Sequence, residues 1–118
     1  MANIDLVLEN CKIVSAEGIL EANIAVESGK ISGIHKIGKT PNAEEKINCA
    51  GKIVLPGVID PHVHFRDPGK TQKEDFYTGS LSAIFGGVTS VIDMPNNKPD
   101  IDSQKNLDLK RKAIKKRT

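Results

Sequence analysis

The stretch Asp60-Pro61-His62-Val63-His64-Phe65-Arg66 places a carboxylate, two imidazoles and a guanidinium at successive intervals of two residues. An extended chain alternates its faces, so Asp60, His62, His64 and Arg66 share one face while Pro61, Val63 and Phe65 take the other. Two histidines at that spacing can both reach one cation, because Zn–N bonds are about 2.0–2.1 Å and imidazole suits zinc. Arg66 offers a planar fork that matches a carboxylate bidentately. These residues also have plainer readings. The imidazoles can be a satisfied polar pair at a strand end, Arg66 an ion-pair partner of Asp67 or Glu74, and Asp60 either an orienting partner of an imidazole or a loop cap.

The neighbouring elements must hold this cluster in place. Apolar Val54, Leu55, Val58 and Ile59 predict a strand running into it. Pro61 has no N–H for a ladder, so the paired strand should end there and leave the histidines at its C-terminal mouth. That rim is where barrel enzymes place their chemistry. Arg66 to Gln72 reads as a loop. Lys73 to Phe85 reads as a helix, with Phe76, Tyr77, Leu81, Ile84 and Phe85 as its apolar stripe, Thr71 as N-cap and Glu74 as capping-box partner. Gly86-Gly87 stops the helix, and Val88 to Ile92 has the apolar character of a parallel strand buried on both faces. Asp93 to Asp100 is a polar loop. Asp102 or Ser103 then caps a final helix that carries Leu107 and Ile114 inward. This order is two βα units of a parallel sheet. Asn96, on the second exit loop, lies at the same edge as the histidines and can reach a ligand held there; its plainer reading is a turn residue beside Pro95.

Residues 1–55 read differently, as an all-β module. Ile4 to Leu8 and Lys12 to Val14 are short strands separated by Glu9-Asn10. Ile24 to Val26 and Lys30 to Ile37 flank the hairpin signal Ser28-Gly29. Gly38 to Lys46 is a polar loop, and Ile47 to Cys49 and Lys52 to Leu55 flank a turn at Ala50-Gly51. His35 reads as a surface or half-buried histidine on a strand. The domain boundary therefore falls between an N-terminal β module, 1–55, and a βα portion, 56–118.

With 118 residues the chain has room for about one ordinary domain. A 38% hydrophobic, 27% charged composition is globular rather than disordered. The formal charge of +2 is too small to imply a polyanionic partner. Six Lys or Arg do fall between Lys110 and Arg117, but without aromatic residues and on a helix C-terminus that favours cations they read as a solvated face, not a nucleic-acid contact. Cys11 and Cys49 belong to no metal or redox motif and read as reduced thiols in or near strands. Met1 to Ser15 has no signal-peptide pattern and no segment approaches a membrane span, so a cytoplasmic location without membrane contact is expected.

Several blocks together resemble dihydroorotases, and more broadly the cyclic amidohydrolases. They are Asp60-Pro-His-Val-His-Phe-Arg-Asp-Pro-Gly69, Glu74-Asp75-Phe76 with Thr78-Gly79-Ser80, Gly86-Gly87-Val88-Thr89, and Asp93-Met94-Pro95-Asn96. The resemblance implies an α/β fold: an N-terminal half-sandwich module followed by the start of a (β/α)8 metal-dependent hydrolase barrel. It implies that His62 and His64 hold zinc, within a binuclear site in the intact enzyme, and that Arg66 and Asn96 hold a substrate carboxylate. The reaction implied is reversible hydrolysis of the cyclic amide of dihydroorotate to carbamoyl aspartate, a step of pyrimidine biosynthesis.

The same resemblance calls for a bridging carboxylated lysine, two more histidines and a proton-shuttling aspartate from later strands. A (β/α)8 barrel takes about 250 residues, whereas 62 run from Gly57 to Thr118. The expectation is therefore the first two βα units, with those catalytic groups beyond Thr118 and the isolated chain inactive. An unpaired edge on the second strand invites self-association. Two other readings stay open: a sibling such as an allantoinase- or hydantoinase-like enzyme, which usually lacks an arginine at the place of Arg66, and a non-catalytic fragment acting in assembly.

Overall fold

In the computed structural model, which describes residues 4–117, the chain forms two compact units, Met1–Pro56 and Gly57–Thr118. The first unit is a five-stranded sheet built from β1 (Ile4–Ser15), β2 (Gly18–Glu27), β3 (Lys30–His35), β4 (Ala43–Asn48) and β5 (Ile53–Val54). β1 pairs antiparallel with β2, which pairs antiparallel with β3. The opposite edge of β1 takes β4 and then β5 in parallel.

Two of its features depart from expectation. Glu9-Asn10 does not break the first strand. The register instead shifts between Leu8 and Cys11, and Asn10 takes φ +57°, a left-handed conformation that a short polar side chain tolerates. Its N–H donates to Asn23 Oδ1 at 2.8 Å and its amide to Asn48 Oδ1 at 3.1 Å, so the bulge is satisfied by side chains. Ala43 to Lys46, expected in a loop, belongs to β4. It is an edge strand, and its exposed charges Glu45 and Lys46 suit a rim that water reaches.

Other expectations hold. Ser28 (φ +50°) and Gly29 (φ +72°) turn the β2–β3 hairpin. Both cysteines are buried free thiols, gathered with Ile24 in the core of this unit. His35 is half-buried, on β3.

The second unit contains β6 (Val58–Val63), α1 (Phe76–Phe85), β7 (Val88–Asp93) and α2 (Gln104–Arg117), with β6 and β7 parallel. Pairing does not stop at Pro61. It skips Pro61-His62 through a shift between Asp60 and Val63 and resumes at Val63 opposite Asp93, which removes the need for a proline N–H. β7 was expected to be buried on both faces, yet Thr89 and Ser90 are exposed and Ile92 is 55% exposed, because a two-stranded sheet covers little of itself.

α1 starts at Phe76, later than expected, because Asp75 and not Thr71 is its N-cap. Asp75 accepts from Thr78 N at 2.9 Å, while Thr78 Oγ1 accepts from Asp75 N at 3.4 Å. Glu74 lies outside the helix, with Oε1 bonded to Thr78 Oγ1 and to Asp75 N. Phe76 and Gly79 form the buried face of α1, whereas Tyr77, Leu81, Ile84 and Phe85 are exposed. Ser103 Oγ caps α2 by accepting from Asn106 N at 3.3 Å, and Asp102 Oδ1 takes the Asn106 amide at 2.9 Å. Among the described residues no helix is long and apolar enough to cross a membrane.

Candidate functional site

The site sits where β6 runs out. His62 is within the strand and His64 just past it, and their ring centroids lie 5.2 Å apart at a 58° tilt, close enough for both to face one cation. Among the described residues Asp60 hydrogen-bonds to neither ring; its carboxylate accepts the His62 backbone N–H at 3.1 Å, the capping alternative.

His64 is held from the second loop. Its Nδ1 lies 2.8 Å from Asn96 Oδ1. With the amide oriented this way Nδ1 carries the proton and donates, so Nε2 presents its lone pair. Hydrogen bonding of one ring nitrogen to fix the other is how ligand histidines are prepared for a metal. Among the described residues the Asn96 Nδ2 group has no acceptor, so both of its donors stay open.

Phe65, between His64 and Arg66, turns away. It is buried edge-to-face against Phe76 at 5.7 Å between centroids. Arg66 then leaves the extended line at φ +60°, which ends the simple alternation of faces expected from Asp60 to Arg66. Its carbonyl accepts Lys70 N at 2.9 Å, and its guanidinium forms neither ion pair nor hydrogen bond among the described residues, so it is not spent on Asp67 or Glu74.

Sequence reasoning missed the supports of this site. Asp93 ends β7, and its Oδ1 accepts Phe65 N at 2.9 Å. Asn97 is buried and donates to the Asp67 carbonyl at 2.8 Å. Lys98 N donates to Pro68 O at 3.2 Å. Gly69, at φ +102°, lies so close that a Cβ there would run into the Lys98 carbonyl. Lys110, read as part of a solvated basic face, is 7% exposed. The usable signal was helical spacing: Lys110 falls three after Leu107 and four before Ile114, on the inward stripe.

An apolar cavity of about 470 Å³ lies under the loops, lined by Phe65, Phe76, Ile101, Leu107 and Ile114. None of His62, His64, Arg66 and Asn96 lines it, so it is packing space and not the site. Among the described residues no group of three or more His, Cys, Asp or Glu could hold a metal ion. The imidazole pair therefore fits zinc as two of the four ligands the ion usually takes.

Comparison with known proteins places the chain in a family. The Amidohydrolase family matches residues 53–118. The dihydroorotase of Methanothermobacter thermautotrophicus is 49% identical over 106 residues, covering 90% of this chain and 23% of that protein. The dihydroorotase of Pyrococcus horikoshii is 40% identical over 119 residues, covering 100% and 28%. Among solved structures, the L-hydantoinase of Arthrobacter aurescens superposes with TM-score 0.86 at 35% identity, covering 94% of this chain and 25% of that one. The D-hydantoinase of a Thermus species gives 0.77 at 33%, covering 92% and 24%. The chain thus spans about a quarter of the length of the relatives it matches. With the family matched over more than half its residues and the paired imidazoles at a parallel strand's C-terminal end, the chain belongs to the amidohydrolase family.

Proposed function

We propose that this chain is the leading part of a zinc-dependent dihydroorotase, with His62 and His64 as two zinc ligands and Arg66 and Asn96 as the grip on the substrate carboxylate. The observation that carries the reading is the joint state of these residues. The imidazoles lie together, His64 Nδ1 is engaged by Asn96 at 2.8 Å, and the guanidinium beside them has no ion-pair or hydrogen-bond partner among the described residues. Bound there, zinc acidifies water toward a pKa of ~7 and polarises a carbonyl, which is what hydrolysis of a ring amide at neutral pH requires.

The chain's own part is binding and orientation. His62 and His64 supply neutral nitrogen donors. Arg66 pairs its fork with the carboxylate, and the free Asn96 Nδ2 donors reach the same group while Oδ1 holds His64. The remaining ligands and the proton-shuttling aspartate belong to later strands of the barrel, for which β6 and β7 leave open edges and the exposed apolar residues Val58, Ile59 and Ile92. A second copy meeting those edges is the alternative occupant. By itself the chain is expected to be inactive, and its location cytoplasmic.

The test is a chimera in which this chain replaces the matching portion of the M. thermautotrophicus relative. It should bind zinc and interconvert dihydroorotate and carbamoyl aspartate. A chimera that folds but does neither would refute the reading. A hydantoinase-like activity is the second reading, favoured by the 0.86 superposition on the Arthrobacter enzyme. Preference for an uncharged cyclic imide over dihydroorotate would select it.

A further inference from the structure

Lys110 belongs to the most basic segment of the chain, yet its side chain is only 9% exposed. Its Nζ lies 2.7 Å from Asp93 Oδ2 as an ion pair. The same ammonium donates to the carbonyls of Asp93 at 3.4 Å and Met94 at 3.2 Å and to Asn97 Oδ1 at 3.0 Å. All of these acceptors belong to the segment that carries Asn96.

Two of the residues it holds reach across to the other loop. Asp93 Oδ1 accepts the N–H of Phe65, the residue between His64 and Arg66. Asn97 Nδ2 donates to the carbonyl of Asp67, the residue after Arg66. One buried cation on α2 therefore holds the backbone before Asn96 and the side chain after it, and through Asp93 and Asn97 reaches the backbone on both sides of Arg66. Burying an ammonium is costly, and a buried ion pair is weak evidence for a stabilising purpose because a well-packed apolar residue often does as well. What an apolar residue cannot do is hold four oxygens of one segment at once.

We propose that Lys110 is a positioning residue: through Asp93 and Asn97 it sets the two exit loops so that Asn96 meets His64 Nδ1 and Arg66 faces the same site. The inference rests on the metal-and-carboxylate reading for its purpose, but its test reads geometry without turnover. In ¹⁵N-labelled protein at pH 8, the imidazole nitrogens of His64 should show the proton on Nδ1. Lys110→Met and Asn97→Ala should each abolish that preference and shift the Phe65 amide, while Lys112→Met, at an exposed lysine of the same helix, changes neither. Folded Lys110→Met and Asn97→Ala proteins that keep the wild-type His64 tautomer would overturn the proposal. If Lys110→Met does not fold, Asn97→Ala decides, since it removes the bridge to Asp67 while sparing the Lys110–Asp93 pair. Zinc titration of the barrel chimera, which supplies the remaining ligands, separates the two claims: His64 resonances that ignore zinc there count against the metal reading, whereas an unchanged tautomer in the variants counts against Lys110.

Discussion

His64 Nδ1 and Asn96 Oδ1 lie 2.8 Å apart although 32 residues separate them in sequence, which ties the exit of β6 to the exit of β7 at the imidazole proposed as a metal ligand. Asn96→Ala removes the acceptor that fixes the His64 tautomer. In the barrel chimera it should weaken zinc by roughly 10- to 100-fold, the usual cost of losing such a partner, and raise KM for dihydroorotate. Zinc competition with a chromophoric chelator measures the first effect and initial rates the second.

Arg66→Ala should act on substrate selection. Hydrogen bonds to a charged group are worth about 1.5–3 kcal/mol, so kcat/KM for dihydroorotate should fall at least about tenfold. Turnover of a cyclic imide lacking a carboxylate should change little. Zinc content should be unaltered, because Arg66 is no ligand in this account. Comparing the two substrates on one preparation checks it.

Gly79 sits on the buried face of α1 against Phe65, and a Cβ there would approach the Phe65 ring to 2.8 Å. Gly79→Ala gains about 1 kcal/mol of helix propensity but overpacks the site's backing, at about 1–3 kcal/mol. The net expectation is destabilisation, together with a shift of the Phe65 ring and amide. Chemical denaturation and amide spectra report both.

Burial, reinforced by its hydrogen bond with Cys49, pushes the Cys11 thiol from 9.0 up to about 11. The folded state then holds this proton more tightly than the unfolded chain. Stability from this source is intact below pH 9 and is lost as pH rises from there through about 11. Cys11→Ala should flatten that part of the pH–stability curve while lowering stability at neutral pH. Urea midpoints measured from pH 7 to 10.5 test the slope.

The residues of the proposed site were all named from the sequence. The imidazole pair, Arg66 and Asn96 stood out because their spacing at predicted strand exits has a chemical meaning. What stayed hidden was what holds them. Asp93 looked like a loop residue, and its role as acceptor for Phe65 N, 28 residues away in sequence, depends on the register between β6 and β7. Lys110 was masked by its company, since five neighbouring cations argue for solvent and only its helical phase argues otherwise. Errors in the elements were local and physical. Pro61 and Asn10 are both absorbed by bulges, and the capping box at Asp75 and Thr78 outcompeted the one expected at Thr71 and Glu74. The apolar stripe on α1 announced a buried helix, but most of it is exposed where two strands are too few to cover it.

The most direct measurement is zinc content and dihydroorotate turnover of the barrel chimera, carried out with and without His62→Ala and His64→Ala. The account predicts stoichiometric zinc and measurable carbamoyl aspartate in the parent, with loss of bound metal and of turnover in each variant. Variants that keep full zinc and full turnover would contradict it.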